Sequence, residues 1–382
     1  MDKQKLKIYT CSNVGMDYFL FLTRTVTQAG FDVAPIFLTS EADYRRLGKG
    51  KSISKLWLRL QMYVLYPIYL AWKVLFAKKN SIFIVSSNTF FAPYLVHLIL
   101  KLRPGKLIHL LYDLYPDAIE IAGMIKPGSF ISRLVGKIAR RNLSGCHATV
   151  YLGEFLKKHA EDRWGKAPVS DVIDISTDLQ LYAPDFRGDI DNSRIILHYG
   201  GQLGYLHDAD TLIACIKYVL GSSIADRVEF NFYVSGAQAA HLKESLAGYP
   251  VKVISAIPSA QWRQDIRNFH IGMVSLSPGG ASVCLPSKTY GMMAGGMAIL
   301  AVAPEWSDLA TLINRMDAGW IVNNSNNYSG DTARDFHSKL AAILDNTALL
   351  QQKRFNAFHN VRSFHGTDVL VHKWTQLIEK IK

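Results

Sequence analysis

The chain has 382 residues, 49% of them apolar, which is enough for two ordinary domains with separate cores and too apolar for a disordered chain. Its formal charge of +12 is unevenly placed: residues 1–190 hold 26 Lys and Arg against 16 Asp and Glu, whereas residues 191–382 hold 17 against 15. A basic first half suits nucleic acid, an anionic membrane surface or a phosphate-rich acceptor; no nucleic-acid module is recognisable, and aromatic residues beside the basic ones favour the membrane. Cys11, Cys146, Cys215 and Cys284 are scattered without the close pairs of a zinc or redox motif, so reduced thiols in a cytosol are expected. The apolar run behind Met1 to Lys7 is short and broken by Asn13 and Asp17, so no signal peptide is expected.

In chain order, Lys7 to Cys11 reads as a strand, Ser12-Asn13-Val14-Gly15-Met16 as a loop, Tyr18 to Ala29 as a helix, and Val33 to Phe37 as a second strand. This is how a doubly wound parallel sheet begins, and such sheets bind ligands at the carboxyl ends of their strands. Ser12, Asn13 and Gly15 are therefore placed on the acceptor side, with a plain turn as the alternative. Lys51 to Lys79 sets Ile53, Leu56, Trp57, Leu60, Val64, Leu65, Ile68, Tyr69, Trp72, Leu75 and Phe76 among Lys51, Lys55, Arg59, Lys73, Lys78 and Lys79. Crossing a bilayer takes about 20 apolar residues, and Met62 to Ala77 falls short of that and is interrupted by Pro67 and Lys73. A buried core helix would not need so many lysines and tryptophans. An interfacial helix pair accounts for both, with Trp57, Arg59, Trp72, Lys73, Lys78 and Lys79 at an anionic lipid surface.

Ser81 to Val85 and Lys106 to Leu111 read as central strands, the first ending at Asn88, a further acceptor-side residue, and the second at Tyr112-Asp113-Leu114-Tyr115-Pro116-Asp117. Carboxylates at that edge are candidates for chemistry: Asp113 as the catalytic group, and Asp117 either on the acceptor side or as the cap of the helix Ala118 to Ala122. Ser129 to Leu143 is a basic amphipathic helix with Ile131, Leu134, Val135 and Ile138 expected inward. Acidic, proline-containing sequence from Asp171 to Asp191 reads as the linker between domains.

The second half repeats the pattern. The strand Arg194 to Tyr199 is followed by Gly200-Gly201-Gln202-Leu203-Gly204-Tyr205-Leu206-His207-Asp208 and a helix, a place where glycine lets backbone approach a diphosphate. His207 either adds positive character there or caps locally. A strand from Val251 runs to Pro258, where such folds often hold the nucleotide base. In Leu276 to Pro304, Gly279 and Gly280 make a turn, Pro286 and Ser287 start a helix, and Lys288 stands in the first helical turn, an end that disfavours cations. A bound diphosphate between Lys288 and the following N–H groups would explain the lysine.

Leu285-Pro286-Ser287-Lys288-Thr289-Tyr290-Gly291-Met292-Met293-Ala294-Gly295-Gly296, then Ala298 to Val302 and Pro304-Glu305-Trp306-Ser307, resembles the nucleotide-sugar site of glycosyltransferase family 4. Within that family it is most like bacterial transferases building exopolysaccharide and lipid-linked glycans. Asp113 to Asp117 and Gly200 to Asp208 resemble two further segments of the family. The resemblance implies an α/β chain of two Rossmann-like doubly wound domains facing a cleft, the GT-B fold, with a membrane-associated acceptor domain over 1–185, a nucleotide-sugar domain over 186–362, and a last helix over 363–382 returning to the first. It implies a retaining hexosyl transfer from a UDP- or GDP-linked sugar to a polyprenyl-diphosphate-linked glycan at the cytoplasmic face of the inner membrane, with no cofactor or metal. The donor would meet Gly200, Gly201, Gly204, His207, Pro258, Ser287, Lys288, Thr289 and Tyr290, with Asp113 and Lys288 catalytic. Many members carry two glutamates eight residues apart, touching sugar and ribose, where this chain has Val283 and Gly291, and an arginine where it has Tyr205. A non-catalytic membrane-bound subunit and a sugar-nucleotide epimerase of the same fold are the competing readings.

Overall fold

The computed structural model describes residues 6–49, 51–174, 176–184, 194–325 and 329–382. By its contacts the chain divides into two compact units, one running up to Thr177 and taking in Thr367–Lys382, the other Asp178–Gly366.

The first unit holds β1 (Lys7–Cys11), β2 (Val14–Gly15), α1 (Asp17–Gln28), β3 (Asp32–Ile36), β4 (Thr39–Ser40), α2 (Glu41–Lys49), α3 (Ser52–Leu60), a π-helical segment (Gln61–Leu65) and α4 (Tyr66–Phe76). There follow β5 (Ser81–Ser86), α5 (Ala92–Leu100), β6 (Gly105–Leu111), α6 (Asp117–Ile121), α7 (Phe130–Gly145), β7 (Ala148–Tyr151), α8 (Glu154–Trp164) and β8 (Val169–Val172). Six strands pair in parallel in the order β3-β1-β5-β6-β7-β8. The central strands are mostly apolar because a parallel sheet is covered on both faces, and every residue of β5 is buried. Tyr66, Leu70 and Val74 of α4 enter this core beside Phe83 and Val85, each such side chain contributing roughly 2 kcal/mol by leaving water.

The second unit holds β9 (Ile195–Gln202), α9 (Ala209–Leu220), β10 (Val228–Ser235), α10 (Ala239–Ser245), β11 (Val251–Ser255), α11 (Ser259–Asp265), β12 (Ile271–Ser275), α12 (Lys288–Ala294), β13 (Ala298–Val302), α13 (Asp308–Arg315), β14 (Gly319–Val322), α14 (Ser329–Asp345) and α15 (Thr347–His365). Its strands are parallel in the order β11-β10-β9-β12-β13-β14. The last helix, α16 (Thr367–Ile381), packs on α1 and β8 and so belongs to the first unit. In each sheet the strand order reverses once, at β1/β5 and at β9/β12, and the crevice at such a point is where doubly wound sheets bind ligands.

Three expectations change. The stretch taken as a linker begins inside β8, and Leu179 and Tyr182 already belong to the second unit, where their carbonyls accept from the Arg362 guanidinium at 2.9 and 3.1 Å. Its portion from 185 to 191 lies outside the described residues. Gly200 and Gly201 are not loop but the end of β9, with Gly201 at φ +99°, a conformation that favours glycine. On α7 the buried face is Ser132, Val135, Gly136, Ala139, Asn142 and Leu143, while Ile131 and Leu134 point outward beside Phe130. Small residues there let α7 lie close: a Cβ on Gly136 would come within 2.5 Å of the Trp164 ring.

Candidate functional site

In the second unit, the crevice at β9/β12 is lined by the end of β9 and by the start of α12. Lys288 reaches back over β9, its Nζ 3.6 Å from the centre of the Tyr199 ring and 3.3 Å from the Gln202 carbonyl. Gly201 is called for by its backbone at φ +99° rather than by crowding, since a Cβ there would meet the Lys288 Cδ at an ordinary 3.8 Å. Burial pushes the Lys288 ammonium well below its usual range, with Cys284 acting the other way. A cation so poorly compensated is primed for an anion. His207 does not share its charge: burial, then the Lys288 charge, hold the imidazole at about 3, and its neutral Nδ1 accepts the Gly204 N–H at 3.2 Å. The structure thus decides for the local cap. Gln238 completes that turn by donating to the Gly204 and His207 carbonyls.

Other donor-side expectations shift. Ser287 makes no side-chain cap, because its backbone is already helical and its hydroxyl faces outward. Thr289 and Tyr290 are fully buried, with Tyr290 edge-on to His365, so their side chains support α12 from beneath. Val283 is fully buried, and a Cβ on Gly291 would lie 2.8 Å from the Tyr182 hydroxyl and 3.2 Å from Trp262. Pro258 stands at the start of α11, and Tyr205 is exposed.

In the first unit, the loops at β1/β5 are tied together rather than open. Ser12 and Asn13 are buried; Asn88 donates to the Ser12 hydroxyl at 3.2 Å and to Tyr18 at 3.0 Å, and Asn13 donates to Thr89 at 3.0 Å. Thr89 in turn donates to the Met62 carbonyl inside the π segment. Gly15 is packed under the Phe37 ring, which a Cβ would meet at 2.9 Å. Of these acceptor-side residues, Asn88 alone is partly exposed.

Asp113 sits just past β6, its N–H and that of Tyr112 donating to the Ser87 hydroxyl at 3.1 and 2.9 Å. Its carboxylate accepts no hydrogen bond from the described residues, and burial raises its pKa to about 6. His109, two turns of the pleat earlier on β6, is buried with neither ring nitrogen bonded to a described residue, and burial holds it uncharged with a pKa of about 3. Asp117 is neither a cap nor open to a ligand. It is buried, and it accepts from His159 and Arg163 on Oδ1 and from Trp164 on Oδ2, each at 2.8 Å. Burial alone would raise its pKa, but those hydrogen bonds and the Arg163 charge bring it below the usual carboxylate value.

The surface of α3, the π segment and α4 has two apolar faces. Leu58, Tyr66, Leu70 and Val74 go inward, while Ile53, Leu56, Trp57, Ile68, Trp72 and Phe76 stay exposed, Ile53 by 82% and Phe76 by 76%. Lys73 lies over the Tyr69 and Trp72 rings at 5.3 and 5.0 Å, and Arg59, Lys78 and Lys79 are exposed nearby in sequence. Among the described residues no helix is long and apolar enough to cross a membrane.

No family model matches the chain. A curated relative, "Probable glycosyltransferase WbjE" of Pseudomonas aeruginosa, is 21% identical over 230 residues, covering 56% of this chain and 55% of its own length. The chain thus aligns with about half of that relative. Among solved structures, the sucrose-phosphate synthase of Thermosynechococcus elongatus superposes with a TM-score of 0.72 at 13% identity, over 99% of both chains. Anabaena HepE, solved with UDP-glucose, gives 0.70 at 12% over 98% of this chain and 100% of its own. WaaG, a glycosyltransferase involved in lipopolysaccharide biosynthesis, gives 0.66 at 11% over 97% and 99%. Two parallel, doubly wound α/β sheets in these orders, in a chain matched end to end by such structures, make the fold of this protein the GT-B fold.

Proposed function

We propose that this chain is a glycosyltransferase of the family 4 type, moving a hexose from a UDP- or GDP-linked sugar to a polyprenyl-diphosphate-linked glycan at the cytoplasmic face of the inner membrane, with retention. The observation that carries the donor half is Lys288, a poorly compensated cation at the reversal point of the second sheet, beside a strand end where Gly201 takes a left-handed backbone. An ammonium preset at that place stabilises charge on the departing diphosphate without reorganisation. In a retaining course the leaving phosphate oxygen takes the acceptor proton, and Asp113, ionised above pH 6, orients the acceptor hydroxyl. The exposed Ile53, Trp57, Ile68, Trp72 and Phe76, with Arg59, Lys73, Lys78 and Lys79, support attachment to an anionic bilayer surface.

Thermal unfolding with a panel of UDP, GDP, CDP and ADP tests the donor half. One nucleotide is expected to raise the transition, by about 2.7 kcal/mol at a hundredfold excess over its Kd, and Lys288→Ala is expected to abolish the rise. No rise with any nucleotide would move the chain to a non-catalytic membrane subunit. Pelleting with phosphatidylglycerol vesicles, lost in Trp57→Ser/Trp72→Ser, tests the surface.

A further inference from the structure

The wall beside Lys288 is aromatic. Trp262 of α11 leans over the end of β9 and the middle of α12: a Cβ on Gly200 would come within 2.6 Å of its Nε1, and one on Gly291 within 3.2 Å of its ring. Both positions need glycine for the indole to seat. The ring is held by its edge, since Nε1 donates to His198 Nε2 at 2.9 Å. His198 is fixed as an acceptor: it is fully buried, stacked on Phe269 at 4.3 Å and 11°, and held uncharged by burial with a pKa of about 3. Tyr182 stands edge-on to Trp262 at 6.4 Å and 85°. Trp262 nevertheless remains partly exposed.

Gly291 lies three residues after Lys288 on α12, a rise of about 4.5 Å and close to one helical turn, so the two positions share a face of the helix. The groups nearest a Cβ on Gly291 are the Tyr182 hydroxyl and the Trp262 ring; the glycine has no side chain to reach a sugar hydroxyl, and the roof leaves no room for one. Resting on the donor reading above, we propose that Trp262 is the nucleoside platform of this site. It holds the nucleoside by contact with its ring rather than by a carboxylate on the ribose hydroxyls, so 2′-deoxynucleoside diphosphates bind as well as their ribose counterparts. A site built to hydrogen-bond a hydroxyl rejects the analogue lacking it because buried partners are left unpaired; an indole surface leaves none.

Calorimetric titration of the full chain with UDP, GDP, their 2′-deoxy forms and inorganic pyrophosphate tests this. Each ribose and deoxyribose pair is expected to agree within about threefold, and Trp262→Ala to weaken both members about tenfold or more, the usual cost of losing a stacking partner, with pyrophosphate affinity unchanged. Trp262→Phe, which keeps a ring, should restore most of the loss. A deoxy form weaker by about tenfold or more, the worth of a lost hydrogen bond to a charged group, overturns the proposal, and that comparison needs no variant to fold. So does an unchanged nucleotide affinity in Trp262→Ala, and in either case nucleotide binding that is lost in Lys288→Ala leaves the donor reading standing. If neither nucleotides nor pyrophosphate bind, both fall.

Discussion

Asp113 and Asp117 lie four residues apart at the edge of one sheet and are opposites. Asp117 is wrapped by three donors from α8 and has its pKa lowered; Asp113 has no donor on its carboxylate among the described residues and has its pKa raised to about 6. A carboxylate the protein has satisfied is part of the scaffold, and one left desolvated and unpaired is available to a substrate. Burial alone would not have separated them, because both are drawn out of water.

The comparison breaks most visibly in activity. With the donor identified, Asp113→Asn is expected to lower turnover about a hundredfold, the usual cost of a misplaced acceptor hydroxyl, without loss of fold. Unchanged turnover would place Asp113 beside Asp117 as scaffold. Conversely, Asp117→Ala strands Arg163, His159 and the Trp164 N–H, and is expected to cost about 3 kcal/mol in urea unfolding, at the low end for a broken buried pair because Arg163 is 39% exposed. Nucleotide affinity of the folded fraction should not change.

Stability against pH sharpens the same contrast through its sign. Asp117 has a lowered folded pKa, so its contribution is present above the unfolded value of about 3.9 and is lost as pH falls through the folded one. Asp113 has a raised one: its contribution is present below about 3.9 and is lost as pH rises through about 6. Wild type should therefore lose up to about 2 kcal/mol relative to Asp113→Asn between pH 4.5 and 7.5. A gap that stays constant across that range would mean that Asp113 titrates like a free carboxylate. The smallest effect is expected at Thr89→Val, about 1 kcal/mol for the hydrogen bonds to Met62 and Asn13, read by the same unfolding.

The sheets were legible because covered parallel strands hold unbroken apolar runs, as in 82–85 and Ala298–Val302. The edge strand Val169–Val172, half-buried and half-polar, carries no such signal, and the linker expected from Asp171 onward cuts into it. Lys288 and Gly201 were legible because each sits within a short motif. Asp117 was misread because its partners lie 42 to 47 residues away on another helix, a separation that no local pattern encodes. Trp262 gave no sign for the same reason: what makes it notable is the absence of side chains at Gly200 and Gly291, far from it in sequence. The helix from Ser52 to Phe76 looked like one apolar stripe and is two, because residues apolar all round leave the inward choice to packing.

The π segment Gln61–Leu65 gives that helix a property no side chain carries. It holds a residue more than regular i→i+4 pairing would use over the same length. The wider turn absorbs that residue, so Ile53, Leu56 and Trp57 upstream keep the angular relation to Ile68 and Trp72 that a regular helix one residue shorter would give them. Were the same residues wound as regular α-helix throughout, everything upstream would turn by about 100°, the angle of one α-helical residue, with its chemistry untouched. In this chain the aim of an exposed surface is set by the winding of the backbone beneath it as well as by composition.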